Sequence, residues 1–377
     1  MKKPLLRNTI FNLVGCAWVF GVVLINSAQA STLILKVFDS SRQPMPDVTV
    51  QVKTVGMGLN ETKEIKTDCL GQVTLTGNLG GSSCLFISIT YSFSAPGYTF
   101  NPSSGVVPCG YQTEAREVIA SGPPQPARPV TIVSAASFLL GSSPSDSIAA
   151  AFGANLATTT ELATSLPLPT TLAGRTVLVK DVNGVEKTAP LFFVSPLQIN
   201  FLMPEGLASG NGSVTVVGAD RPPIGGCVVV RKVEPSLFAA NSDGQGVAAA
   251  VALRVKSDGS QIFEPVAQFD TTQNRFVALP IDLGPDMGPA SDRVFLVLYG
   301  AGFRNRKSLS DLSLKIGGQD APPEFAGAQG TFPGLDQMNI PLPRSLVGRG
   351  LVDVVLTGEH PDEPGSHMSN TVQINIK

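Results

Sequence analysis

From Ser31 to about Gly122, apolar and polar residues alternate with a period of two, as in Leu33-Ile34-Leu35-Lys36-Val37, Val48-Thr49-Val50-Gln51-Val52, Val73-Thr74-Leu75 and Phe86-Ile87-Ser88-Ile89-Thr90. Successive side chains of a strand point to opposite faces, so this spacing, rich in β-branched residues, predicts strands with one buried face. Between them lie turn-forming clusters at Asp39-Ser40-Ser41-Arg42-Gln43-Pro44, Asp68-Cys69-Leu70-Gly71 and Gly80-Gly81-Ser82-Ser83, residue types that meet the special backbone demands of turns. About seven short strands in so short a stretch predict a small β-sandwich over 31–121.

A proline run, Gly122-Pro123-Pro124-Gln125-Pro126-Ala127-Arg128-Pro129, follows. Repeated proline favours extended polyproline II, so 122–130 is expected to be a linker. Beyond it the chain repeats itself. Phe152-Gly153-Ala154-Asn155-Leu156 is echoed by Tyr299-Gly300-Ala301-Gly302-Phe303, and Ala189-Pro190 with Phe193 by Ala321-Pro322 with Phe325. Gln198-Ile199-Asn200-Phe201-Leu202-Met203-Pro204 is echoed by Gln337-Met338-Asn339-Ile340-Pro341-Leu342-Pro343. Each echo leads to an alternating strand, Ser213–Val217 or Leu351–Leu356, so two copies of one β-sandwich unit are expected, at 131–234 and 235–377. The expected fold is all-β: tandem immunoglobulin-like sandwiches, a prealbumin-like domain followed by two related units.

The first segment resembles the carboxypeptidase regulatory-like family, carried by Val37 with Asp39, Pro44, Pro46, Val48 and Val50, Thr67-Asp68 with Gly71, and Ala95-Pro96-Gly97-Tyr98-Thr99-Phe100 with Pro102. That resemblance implies a prealbumin-type sandwich and no catalytic residues. From about Val130 onward the chain resembles the Solibacter-type C-terminal domain family of secreted acidobacterial proteins. The residues that carry it are Ile132-Val133-Ser134-Ala135-Ala136-Ser137-Phe138, Phe152–Leu156, Leu168-Pro169 with Leu172 and Gly174, Pro190–Phe201 and Gly244-Gln245-Gly246. The resemblance implies paired immunoglobulin-like folds with no established activity.

The first residues predict export. Lys2, Lys3 and Arg7 precede an apolar run from Phe11 to Ile25, and Ser27-Ala28-Gln29-Ala30 supplies small residues for cleavage, so a signal peptide at 1–30 is expected. The run is shorter than the roughly 20 residues a spanning helix needs, and it continues past Cys16, which argues against lipid attachment there. No other segment is apolar enough to span a membrane. A net charge of −2 with 15% charged residues gives no reason to expect nucleic acid as a partner.

An exported chain meets an oxidising compartment in which thiols can pair. Of Cys69, Cys84, Cys109 and Cys227, the residue pattern favours Cys84 with Cys109, both at the edges of expected strands of the first domain, leaving Cys69 and Cys227 as free or buried thiols. Zinc lacks support, because no CxxC pair or neighbouring histidine is present, and no metal or other cofactor is expected.

Candidate binding residues are few. Gln198 with Asn200, and Gln337 with Asn339, stand two apart on expected strands, so each pair shares a face and could bind a polar ligand such as a sugar. The plainer reading is that they satisfy backbone groups of an adjoining loop. Tyr91, Phe93, Tyr98, Phe100 and Tyr111 cluster late in the first domain; most are expected in its core, with Tyr98 and Tyr111, flanked by turn residues, as the exposed exceptions. The only histidines, His360 and His367, lie in a polar loop, Glu359–His367, read as a solvated turn without a nucleophile elbow or a calcium-loop pattern. Asn241-Ser242-Asp243-Gly244 has too few ligands for calcium. No Gly-rich phosphate loop is present.

These features rank three roles. A non-enzymatic binding or adhesion module at the cell surface or outside the cell comes first, acting on carbohydrate or on an envelope or extracellular protein. A purely structural spacer comes second, and a hydrolase with an unrecognised carboxylate pair third.

Overall fold

The computed structural model describes residues 31–56, 59–77, 87–107, 113–123, 130–284, 292–363 and 365–377. The expected signal peptide, most of the proline-rich stretch, Cys84, Cys109 and Tyr111 lie outside the described residues. Apart from two 3-10 turns, Leu309–Asp311 and Arg344–Leu346, the regular structure among the described residues is β. No helix among them is long and apolar enough to cross a membrane.

The alternation seen in the sequence becomes three pairs of sheets, each closed over its own core. In the first sandwich, Gln72–Gly77, Ser31–Asp39, Thr113–Ser121 and Thr99–Asn101 form one sheet, with Ser31–Asp39 and Thr113–Ser121 parallel. Leu59–Lys66, Thr49–Gly56, Ser88–Ser94 and Ser104–Val106 form the other. Leu33, Leu35, Val37, Val50, Tyr91 and Val118 fill the space between them. Burial of this apolar surface, at roughly 25 cal/mol per Å², is the main force holding the layers together.

The second and third sandwiches share one topology. In the second, Val130–Ser134, Ile148–Gly153, Gln198–Leu202 and Leu191–Val194 lie side by side, and Ala250–Val255, Arg293–Ala301, Asp336–Pro341 and Phe325–Ala328 repeat that order in the third. The opposing sheets correspond too: Glu186–Ala189, Thr176–Lys180, Gly210–Gly218 and Arg221–Arg231 against Gln319–Asp320, Leu312–Ile316, Gly350–Glu359 and Val372–Ile376. Register is preserved to the residue, since Phe152 stands opposite Gln198 as Tyr299 stands opposite Gln337.

The repeated motif explains itself in backbone terms. Asn155 and Gly302 occupy the same place and both adopt left-handed backbone, φ 56° and 82°, a region open mainly to Gly and Asn. The following Leu156 and Phe303 are both fully buried, each in its own core. Just before the second amide pair, Asp336 is fully buried. It accepts hydrogen bonds from Phe303 N (2.9 Å), Arg304 N (3.2 Å) and Arg304 Nε (2.5 Å), which hold the loop after the motif. Burial pushes the Asp336 carboxyl above the ordinary range, and the Arg304 charge opposes that shift.

Cys69 and Cys227 are joined by a disulfide across a sequence separation of 158, with their Cα atoms 5.8 Å apart. This corrects the expectation of free or buried thiols: the partners sit in different sandwiches, so no pattern within either segment could reveal them. The turn Asp68–Gly71 docks on the strand Arg221–Arg231 and brings the two sulfurs together. The expected Cys84–Cys109 pair lies outside the described residues.

Two outcomes follow for the intact protein. Digestion without reductant should release Cys69 and Cys227 on one cross-linked peptide pair; recovery of both as separately alkylated peptides would refute the staple. Asp336→Ala should cost about 3–5 kcal/mol in denaturant unfolding of the third sandwich, because it strands the Arg304 charge and two backbone donors.

Candidate functional site

The amides flagged in the sequence do share a face. Gln198 Nε2 donates to Asn200 Oδ1 at 2.8 Å, and Gln337 Nε2 donates to Asn339 Oδ1 at 2.8 Å. Each pair is therefore bonded internally, with Gln198 Oε1 left as an acceptor and Asn200 Nδ2 as a donor, side by side. Gln198 and Asn200 line a cleft of about 1240 Å³ where the outer face of the second sandwich meets the third. Gln337 and Asn339 point away from the core of the third sandwich, and Gln337 stands next to Tyr299 in the neighbouring strand.

The cleft is walled by aromatic rings that come from both sandwiches. Phe152 is aimed into it by its register opposite Gln198. Phe192 and Phe193 both reach it although they are adjacent, because the register shifts between Leu191 and Phe193 where that strand pairs with Gln198–Leu202; a bulge re-aims side chains in this way. From the third sandwich, Phe238 and Tyr299 reach the cleft, and Phe238 N donates to Tyr299 O at 3.1 Å.

A loop of the third sandwich completes the wall. Gln329 Oε1 accepts from Thr331 N and Phe332 N at 3.0 and 2.9 Å, and Gln329 N donates to Leu335 O at 2.9 Å, which tightens the loop and projects Phe332. The Phe332 ring stacks on Phe192, with centroids 5.5 Å apart and planes 8° from parallel. Gly334 lies so close to the second sandwich that a Cβ there would stand 2.7 Å from Leu202 Cδ1.

Phe138 forms the lip, its ring 6.4 Å from Phe152. Its φ of 58° puts a bulky residue in left-handed backbone, a conformation that persists only where surroundings impose it and that clusters at binding sites. Among the described residues, no Asp, Glu, Lys, Arg or His lines the cleft. It is a concave, chiefly apolar space with a few convergent polar groups, the usual character of a ligand site.

Tyr98 and Tyr111 fare differently from the amides. Tyr98 is half-buried against the first core, and its hydroxyl donates to Pro123 O at 2.6 Å, so it anchors the chain as it leaves the first sandwich. Tyr111 lies outside the described residues. Tyr91 and Phe93 are core residues, edge to face at 5.6 Å. The residues that sequence reasoning missed are Phe138, Phe152, Phe192, Phe238, Tyr299 and Phe332. The Phe192-Phe193 doublet was the one visible signal, since two adjacent aromatics break an alternating pattern.

No family model and no curated protein matches the chain. Solved structures with related architecture include SGBP-B of the Bacteroides ovatus mixed-linkage glucan utilization locus, in complex with mixed-linkage heptasaccharide, at 11% identity over 94% of this chain and 67% of that one, TM-score 0.27. BcpA, the major pilin subunit of Bacillus cereus, matches at 12% identity over 84% of this chain and 96% of that one, TM-score 0.19. A Streptococcal ancillary pilin matches at 13% over 54% and 62%, TM-score 0.21. At these identities and scores the likeness concerns β-sandwich architecture and carries no argument about ligand or role.

The loop Glu359–His367 is more than the solvated turn expected. Asp362 receives Lys232 Nζ at 3.0 Å and Lys307 Nζ at 2.9 Å, and Lys232 N donates to Glu363 Oε1 at 2.9 Å, so the loop binds the chain segment that joins the second and third sandwiches. Among the described residues no group of three or more His, Cys, Asp and Glu side chains could hold a metal. His367 is half-buried, and burial pushes its imidazole below the ordinary value of 6.5, with Arg231 adding to the shift and Glu234 and Glu363 opposing it. As pH falls through 6.5, the unfolded chain takes up a proton that the folded chain resists. Stability is therefore full above that value and declines below it. His367→Gln should flatten that decline in thermal melts taken across the window, whereas an unchanged slope would place the titration elsewhere.

Proposed function

We propose that the protein is a non-enzymatic binding module of the cell exterior, and that the cleft between its second and third sandwiches holds a neutral carbohydrate. The observation that carries this reading is the lining itself: aromatic faces and an amide pair, with no Asp, Glu, Lys, Arg or His among the described residues that line it. An anion entering such a cleft would lose hydration without gaining a cationic partner, which disfavours acidic ligands. A sugar presents apolar C–H faces to aromatic rings and hydroxyls at its edges, and a hydroxyl can both give to Gln198 Oε1 and accept from Asn200 Nδ2. The cystine supports an exterior location, because such bonds persist in oxidising compartments.

A second reading, a rigid spacer, is favoured by a separate observation. The third sandwich joins the second without a spacer segment, and the first is stapled to the second through Cys69 and Cys227. A spacer needs the three bodies held at fixed angles and needs no ligand.

Depletion of the purified protein by a panel of neutral and acidic polysaccharides separates these roles. Neutral glycans should deplete it, and Phe192→Ala or Phe332→Ala should weaken binding roughly tenfold, the ratio that corresponds to about 1.4 kcal/mol. Loss in Tyr98→Ala with the phenylalanine variants unaffected would move the site to the first sandwich. Depletion by acidic glycans alone would refute the neutral-ligand reading, and no depletion by any glycan would leave the spacer.

A further inference from the structure

The loop that carries Phe138 is gripped from two sides. On one side the third sandwich presses against it: Gly244 lies so close that a Cβ there would stand 2.6 Å from Ser137 O. On the other, the first sandwich does the same at the loop's far end. Leu70, in the turn Asp68–Gly71, lies over Gly141, where a Cβ would stand 2.5 Å from Leu70 Cδ2. Within the loop, Phe138 N donates to Ser134 O at 2.9 Å, and Gly141 N donates to Ile132 O at 2.7 Å.

Leu70 is held where it is by two constraints. Asp68 Oδ1 accepts from Leu70 N and Gln72 N at 2.9 and 2.8 Å, which fixes the shape of the turn. The disulfide then ties the neighbouring Cys69 to Cys227. Val229, two residues along the same strand from Cys227, donates its N–H to Gly141 O at 2.6 Å. The covalent anchor and the seat of Leu70 are thus set on one strand, a short step apart.

We infer that the Cys69–Cys227 disulfide is a positioning device for the cleft, seating Leu70 on Gly141 so that the loop holds Phe138 in its left-handed backbone at the lip. The first sandwich then serves the site without touching what enters it. This role for the disulfide rests on the cleft being the binding site, but its physical content, a covalent brace on the Phe138 loop, holds with the cleft empty. Reduction by a dithiol transfers two electrons and two protons to the cystine, breaks the S–S bond and leaves two thiols, while the dithiol closes to its own cyclic disulfide. The brace is then reduced to the packing of Leu70 alone.

Hydrogen exchange on the ligand-free protein tests the brace directly. The Phe138 and Gly141 amides should exchange roughly tenfold faster in dithiothreitol and in the C69S/C227S double variant, while core amides such as Val177 and Phe201 keep their protection. Leu70→Ala keeps the cystine and removes only the side chain over Gly141; it should accelerate the same two amides. If those amides keep full protection in both Leu70→Ala and the double variant, the brace is refuted. If the double variant exposes the first sandwich alone, the coupling between staple and loop is refuted. Because no ligand is involved, failure of the glycan assay leaves this result intact, and failure here leaves the glycan assay intact.

Discussion

The cleft exists because of how the second sandwich hands the chain to the third, and that handover turns on Glu234 and Gly302. Glu234 N donates to Gly302 O at 2.9 Å, and the Glu234 carbonyl crowds the place where a side chain on Gly302 would begin. With φ at 82° and the carbonyl in the way, only glycine fits. The equivalent position in the second sandwich, Asn155, has the same left-handed backbone but is exposed, and there a side chain is tolerated. Around this contact Ser134 Oγ donates to Ser236 Oγ at 3.0 Å, Ser142 bonds the Glu234 carboxylate, and Asn305 Nδ2 donates to Ser145 O at 3.2 Å. Main-chain and short side-chain bonds of this kind fix an angle more firmly than long charged side chains, which lose rotamer freedom to make one contact.

Given that fixed angle, the repeat shows which parts of the site belong to the frame. The amide pair is present in both copies with the same internal bond, but only Gln198 and Asn200 face the cleft. The pair is therefore a property of the sandwich unit that one copy has exposed to the cleft. What distinguishes the second sandwich is the aromatic doublet Phe192-Phe193 on its bulged strand, where the third has Phe325 in a regular ladder. On the proposed binding role, ligand preference would reside in the rings, with the amides supplying polar groups at a position the fold had already settled.

Much of the architecture was legible in the sequence because it is written locally. Period-two alternation marks Leu33, Leu35 and Val37 as one buried face, and the echo of Phe152–Leu156 in Tyr299–Phe303 marks two copies of one unit down to their register. What escaped is what depends on two bodies meeting. Cys69 and Cys227 lie 158 residues apart in different sandwiches, so the oxidation of the pair follows from docking and not from spacing. Phe332 sits in a loop with no periodicity, and its ring gains a role only when Phe192 arrives from the other sandwich. Tyr98 was misleading for the opposite reason: flanking turn residues suggest exposure, yet the emerging chain folds back to take its hydroxyl at Pro123 O.

Charge is distributed so as to leave the cleft neutral. The junction carries it instead, where Lys307 and Lys232 draw the Asp362 carboxyl down to about 2. That carboxylate stays ionised at any ordinary acidity, but its side chain is about half exposed, so the pairing is screened by salt and contributes little energy. The buried Asp336–Arg304 pair and the Glu234–Gly302 contact therefore carry the geometry, while the junction charges bias it. A site with rigid neutral walls, set beside a charged but weakly coupled junction, holds its shape against changes in ionic strength. If the cleft binds the neutral sugar proposed above, its selectivity would rest on ring faces and two amide groups, which salt does not weaken.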